Sequence, residues 1–406
     1  MAAHAHVTHL DEPTPPRAPV LTMVCAAAAV VGLAVFVLLL FVDTQRAWSS
    51  LLQGMLYPTF IGVAALFYIA VHSAANAKWP TPLRRLMEGL TSGLWLTLGA
   101  AIAIAIFGGG YLYEWVFLSG TEKHGDLFHV HHGTKEAILT KSRWIVMTVG
   151  VVLVWMFFRM KLVGMSVAQD RTKTDIRPSH AKWSIAWLIV FALSFTVFVW
   201  DMLLSLHHNW FSTMWGPYCF TSAVQTFLCT MVLLVVWLKK GPLKNHIHEH
   251  TVHDLGTWMV GWSCFCAYIG FSQYMLIYYA NMDEETYYYK LRTQHGYGLA
   301  YAIEALIRWP LPFLGLMSQS VRTKPWALTI IAVVVLIGNW MDWSWIIMPA
   351  FAHDHWRPFF SWQEVLVGAG FVGATLLLAL AFWRRNGLVP KGDPNLLPTV
   401  NAEHLH

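Results

Sequence analysis

The sequence predicts an all-α integral membrane protein with about ten transmembrane helices. Two observations carry this. Hydrophobic residues make up 56% of the chain and charged residues only 12%, where a soluble domain carries roughly 25%. The chain therefore lacks the polar surface to cover itself in water. Its apolar residues also fall into runs of about 20 or more, the length a helix needs to cross the ~30 Å hydrocarbon layer. Such runs lie at 20–42, 51–76, 89–118, 144–165, 183–206, 212–238, 254–281, 297–319, 326–348 and 362–383.

Taken in order, residues 1–19 carry one basic residue and no short apolar core before a small-residue cleavage site. They are expected to be a retained tail, with the first apolar run a membrane helix rather than a signal peptide. Sorting the 27 Lys and Arg by loop gives 18 on the side of the N-terminus, eight on the other, and Arg308 inside a span. The positive-inside rule then places both termini in the cytoplasm. The fifth run ends outward in Trp200-Asp201-Met202 and the ninth in Trp340-Met341-Asp342-Trp343. This echo, four helices apart, hints at a parallel repeat. The expected organisation is a peripheral helix at 20–42, four-helix bundles at 51–206 and 212–348, a second peripheral helix at 362–383 and a cytoplasmic tail at 384–406.

Ionisable side chains near a bilayer centre cost roughly 2.5–3.5 kcal/mol each on insertion scales and usually face a partner inside the bundle. Glu304 and Arg308, four apart, share one helix face. They read either as a self-neutralising tie between helices or as a switchable pair in a proton route, with Pro310 and Pro312 inviting a bend beside them. Asp201 and Asp342 are expected about 9 Å in from the outward helix ends, at about 1.5 Å per residue. Each is open to a packing role, through a Trp indole or Asn339, or to proton exchange. Glu114, after the Gly108-Gly109-Gly110 run, is a third outward carboxyl, and the glycines are expected to permit close backbone approach. On the cytoplasmic half, His72 lies one turn after Tyr68, and Asp254 beside His253 is expected to cap the seventh helix. Ser263, Tyr268, Ser272, Gln273 and Tyr274 follow as a polar seam, open to water or to helix-packing roles.

Cofactor signals are weak. Cys25, Cys219, Cys229, Cys264 and Cys266 all lie in apolar runs without CxxC or CxxCH spacing, against disulfides, an iron–sulfur cluster or covalent haem. His72 is the one histidine well inside a predicted span, and adjacent His207 and His208 diverge by about 100° on a helix, so opposed axial haem ligands are lacking. A metal held by His129, His131 and His132 with His124 is the minor alternative; none is expected. The chain shows no dinucleotide or P-loop fingerprint and no basic aromatic face for nucleic acid.

Two longer motifs carry a family resemblance. Trp200 to Gly216, WDMLLSLHHNWFSTMWG, and 253–286, HDLGTWMVGWSCFCAYIGFSQYMLIYYANMDEET, resemble signatures of the F-type integral membrane subunits of bacterial alternative complex III, a quinol:cytochrome c oxidoreductase. The ninth-helix stretch NWMDWSWIIMPAF resembles a third. The chain departs from the pattern around Asp201 and at His207. The resemblance spans about residues 50–350 and implies a relative of polysulfide-reductase membrane anchors, multi-pass in the bacterial inner membrane. It implies two four-helix bundles, no cofactor in this chain, and a redox site carried elsewhere. The implied partners are a paralogous quinol-binding membrane subunit, multihaem cytochrome c subunits, an iron–sulfur protein and small membrane subunits.

Three functions compete at this point. The first is a structural and proton-conducting subunit, with His72, Glu114, Asp201, Asp254, Tyr268, Gln273, Glu304, Arg308 and Asp342 as pathway candidates. The second is a quinol-binding subunit using Asp201, His207 and His208 beside a redox neighbour. The third is a stand-alone secondary transporter, which would show broken helices in both halves.

Overall fold

A computed structural model describes residues 13–16, 18–117, 139–207, 210–293, 297–351 and 361–401. The described residues are helical with no strand, and nine helices are long and apolar enough to cross a membrane. They are α1 (Pro19–Val42), α2 (Thr44–Ala74), α3 (Thr81–Leu112), α4 (Lys141–Thr172), α5 (Arg177–Met202), α6 (Trp215–Lys239), α7 (Glu249–Ala280), α9 (Pro325–Ile347) and α10 (Trp362–Asn386). Between α7 and α9 lies the shorter α8 (Tyr297–Arg308).

The eighth expected run is thus not one helix. It ends at Arg308 and resumes as a short piece, Pro310–Gly315. The prolines at 310 and 312 lack the N–H that would bond the carbonyls four residues back. Two other boundaries differ from expectation for local reasons. Asp43 Oδ1 accepts from the Arg46 backbone N–H at 2.9 Å, a capping bond that starts α2 well before residue 51. The seventh helix starts at Glu249, so Asp254 stands inside it and does not cap it.

The helices pack as two rings. Around the first, α2 contacts α3, α3 contacts α4, α4 contacts α5, and α5 returns to α2. Around the second, α6 contacts α7, α7 meets α8 and its continuation, α8 contacts α9, and α9 returns to α6. The α2–α6 contact joins the rings, and these are the two most buried spans. The α1–α10 pair lies outside, against α2. There the crossing is made by glycine: a Cβ on Gly32 would sit 2.7 Å from the Gly370 Cα, and one on Gly373 2.5 Å from the Cys25 carbonyl. Small residues at such a crossing let the backbones meet and gain dispersion contact. The run at Gly108 and Gly109 admits aromatic rings rather than backbone: a Cβ would lie 2.4 Å from the Trp48 ring and 3.0 Å from the Trp144 ring.

Polar ties gather at the two ends of the rings. On the side of both chain ends, Arg85 is fully buried and donates to Glu88 Oε2 and Asp170 Oδ2, both at 2.5 Å. Arg84 pairs with Asp393 at 2.8 Å, and the Gly392 N–H donates to Asp170 Oδ1 at 2.9 Å. Thr399 Oγ1 reaches the Lys78 carbonyl at 3.1 Å. The stretch from 387 to 401 is therefore docked rather than a loose tail. Arg159, counted above among the loop cations, is buried and bonds Thr91 and Ser92. On the opposite side, Arg46 pairs with Glu364 at 2.8 Å.

Gly32→Leu and Gly373→Leu are expected to lower stability by about 1–3 kcal/mol each, the usual cost of overpacking. Gly99→Leu, where an added Cβ meets nothing within 4 Å, is expected to be neutral. Thermal unfolding midpoints of the three purified variants provide the check.

Candidate functional site

The second ring encloses an ionic cluster. Arg308 Nη1 lies 2.5 Å from Glu304 Oε1 and 3.1 Å from Asp342 Oδ2. The i, i+4 spacing on α8 delivers the first contact. Gly338 permits the second: a Cβ there would lie 2.9 Å from Arg308 Cγ and hold α8 off α9. Asp342 is fully buried, and Glu304 and Arg308 nearly so.

Helix α6 supplies the neutral partners. Tyr218, Ser222 and Thr226 recur every four residues and so share a face. The Tyr218 hydroxyl donates to Asp342 Oδ1, and Ser222 Oγ lies 3.5 Å from Oδ2 while accepting from Trp343 Nε1 at 3.3 Å. Asn339 Nδ2 donates to Thr226 Oγ1 at 3.0 Å. Gln225 has a separate task. Its Oε1 accepts from Arg308 Nε at 3.2 Å, and its amide donates to the Arg308 carbonyl at 2.9 Å and to Ser263 Oγ at 3.0 Å. That carbonyl would normally bond the N–H of residue 312, which is proline, so the glutamine fills the acceptor the helix break leaves open.

The other residues singled out from the sequence lie elsewhere. Asp201 sits in the first ring at the end of α5, not well inside it. Its Oδ1 takes a hydrogen bond from Arg143 Nη1 at 2.9 Å, while its backbone carbonyl takes the Trp144 indole. His207 is buried and accepts from Arg292 Nη2 at 2.6 Å through Nε2; since guanidinium only donates, Nε2 carries no proton. His208 and the loop histidines His124, His129, His131 and His132 lie outside the described residues. Glu114 is exposed. Asp254 contacts His253 Nδ1 at 3.5 Å with its carboxyl 43% exposed. The seam on α7 splits: Ser263 and Gln273 are buried, while Tyr268 and Tyr274 face outward. The split follows from rotation, since five residues turn a helix by about 500°, leaving Ser263 and Tyr268 about 140° apart. His72 is buried at the far end of α2 with Nδ1 2.7 Å from the Tyr68 carbonyl. It borders a cavity of about 430 Å³ near Ser73, Arg84 and Asp393, on the side of the chain ends.

The two rings repeat one device. In each, an aspartate near the end of the last helix meets an arginine from the helix before it: Arg143 of α4 with Asp201, Arg308 of α8 with Asp342. The copies differ in depth. Side-chain exposure is 26% and 4% for the first pair but 7% and 0% for the second. Sequence reasoning missed Tyr218, Ser222 and Gln225, although their spacing in an apolar run was visible. Arg292, one of the cations sorted between predicted spans, stands on a short helix, Asp283–Thr293, and is fully buried, with its guanidinium 3.4 Å from the Tyr288 ring and bonded to the carbonyls of Trp345 and Ile346.

No protein-family model and no curated protein matches this chain.

Arg308→Met is expected to cost about 3–5 kcal/mol, because it leaves Glu304 and Asp342 buried without their counter-charge. The triple change Arg308→Met, Glu304→Gln, Asp342→Asn is expected to recover part of that loss. Comparing unfolding midpoints of the two variants with the parent in detergent measures both.

Proposed function

We propose that this chain is the cofactor-free membrane subunit of a respiratory quinol:cytochrome c oxidoreductase of the alternative complex III type, with the Glu304–Arg308–Asp342 cluster as a proton-holding station. The rings at α2–α5 and α6–α9 then correspond to the two expected four-helix bundles, and both chain ends lie in the cytoplasm of a bacterial inner membrane. Haem c, iron–sulfur and quinol-oxidising sites belong to partner subunits in this reading.

The observation that carries the reading is the charge count: two carboxyls converge on one guanidinium in a buried place. Balance asks for one further positive charge, and an exchangeable proton supplies it. Hydroxyl groups lead away from the cluster along α6. Asp342 meets Tyr218 and Ser222, Thr226 Oγ1 bonds the Ser222 carbonyl at 2.8 Å, and Thr230 lies 3.4 Å from the Tyr57 hydroxyl. An aromatic layer follows, with Tyr68 against Phe227 at 5.0 Å, before His72 and its bordering cavity. A proton crossing that layer needs water to enter or a ring to move, which makes it the natural gate. The transporter alternative fits less well: the break in α8 has no match in α4, its counterpart in the other ring, which runs unbroken from Lys141 to Thr172, while the irregular turns of the first ring fall in α3, at Thr91–Gly93 and Ile104–Gly108.

In the intact complex reconstituted in liposomes, Asp342→Asn and Glu304→Gln are expected to lower protons released per quinol while electron transfer continues. Each is also expected to destabilise less than Arg308→Met, since Arg308 keeps one carboxylate. Unchanged proton stoichiometry in normally assembled complex would reduce the role of this chain to scaffolding.

A further inference from the structure

Between α7 and α8 a cavity of about 650 Å³ opens from the second ring, within the ~300–1,000 Å³ common for small-molecule sites. Helix α7 contributes Tyr268, Phe271 and Tyr274 to its lining, while α8 and the chain just after it contribute Tyr301, Trp309 and Phe313. Tyr268 and Phe271 are 65% and 62% exposed on a helix long and apolar enough to cross a membrane. The opening therefore meets the lipid side, and a guest needs a lipid-soluble part to reach it.

Charge selects the guest. Glu304 and Arg308 are the charged residues of the lining, and Asp342, which does not line the cavity, pairs with the same guanidinium. Two carboxylates against one guanidinium leave one negative charge in excess. Glu304 gives Oε1 to Arg308 Nη1 at 2.5 Å. Its Oε2 accepts no hydrogen bond among the described residues, although Glu304 is only 3% exposed. A phosphate head group would add to the excess and a neutral head would leave it unmatched, so both are disfavoured. A bare metal ion would have to shed its hydration to pass a lipid-facing mouth, which is far costlier. An organic ammonium suits every surface. Its charge offsets the excess at Glu304, its C–H shell suits the aromatic rings, and an alkyl chain fills the open side.

We propose that this cavity is a site for an amphipathic organic cation of the alkylammonium class, seated with its charge at Glu304 and its chain leaving between α7 and α8. The inference rests on the charge count used for the proton station. Cation and exchangeable proton answer the same excess charge, so the two exclude one another. A ligand of this class therefore blocks the station from the lipid side.

The test uses the full chain in phosphatidylglycerol nanodiscs, whose lipid carries no amine, with an alkyltrimethylammonium bearing a photoreactive diazirine beside its head. Its neutral isostere, with carbon in place of nitrogen, is the control at equal bilayer-bound amounts, and labelled peptides are mapped. Label from the cation is expected within 264–274 or 301–313, about tenfold above the isostere. Glu304→Gln is expected to cut it about tenfold. Asp342→Asn is expected to do the same although Asp342 does not line the cavity, since either change removes the excess charge. Ala305→Trp fills the cavity from an exposed position on α8 without changing charge; it is also expected to cut the label and serves where an acid variant fails to accumulate. Leu306→Trp, exposed but not lining the cavity, is expected to leave it unchanged. Equal labelling by the isostere, labelling that survives either acid variant or the filling variant, or label spread over lipid-facing helices would each overturn the proposal. Proton release is measured separately, in the liposome experiment above. Absent labelling leaves the proton station standing, and labelling beside an unchanged proton stoichiometry in Asp342→Asn removes the station and keeps the cation site.

Discussion

Arg308 is the charge on which the second ring depends. Its guanidinium reaches carboxylates on α8 and α9, its Nε reaches α6, and its own carbonyl is taken by the same α6 glutamine. One side chain thus ties three of the ring's four helices, and Ser263 extends the tie to α7 through Gln225. Two sequence features make this geometry attainable. Gly338 lets α9 approach within reach, and Pro312 removes the helical donor so that Gln225 has a carbonyl to occupy. A side chain at position 338 would hold Asp342 off the guanidinium, and a backbone donor at position 312 would compete with Gln225 for the carbonyl, each without touching a charged residue.

A buried ion pair is weak evidence for stability, since desolvation of the charges offsets most of their attraction. Apolar side chains of similar volume would pack this ring at least as well. The contrast with the first ring sharpens the point. Arg143 and Asp201 meet with the guanidinium nearer water, at 26% side-chain exposure against 7% for Arg308, so less charge is taken out of water there. Asp342 meets its arginine fully buried, with a third charged group, Glu304, added. A sequence that needed only adhesion between α8 and α9 had the cheaper version available in its own first ring. The deeper and more charged copy is therefore the one we propose as the proton-holding station.

The multi-pass fold was legible because apolar run length is a one-dimensional quantity fixed by bilayer thickness. Glu304–Arg308 was legible for a similar reason: four residues on a helix is a contact whatever the rest of the chain does. The convergence of Asp342 was not, because it depends on how α8 crosses α9, a distance that Gly338 sets and no local pattern reports. The seam on α7 failed for the opposite reason. Polar residues close in sequence suggest a single seam, although helical rotation puts Gln273 inside and Tyr268 outside. Asp254 failed as a cap because the helix began a turn and a half earlier, at Glu249. Polar residues at the edge of an apolar run cannot by themselves locate a terminus.

The break in α8 connects these observations. A continuous helix through residues 309–313 would satisfy its own carbonyls and leave Gln225 without its acceptor at Arg308. It would also close the wedge that Trp309 and Phe313 hold open beside Phe271. The two prolines therefore act on both sides of one guanidinium. Inward, they expose a carbonyl that fixes Gln225 and, through it, the orientation of Nε. Outward, they leave Arg308 lining a cavity with aromatic walls. Charge buried beside such an opening is costly unless paired and hydrogen-bonded, and it is the proline-interrupted helix, more than any single acid, that supplies the pairing on one side and the opening on the other.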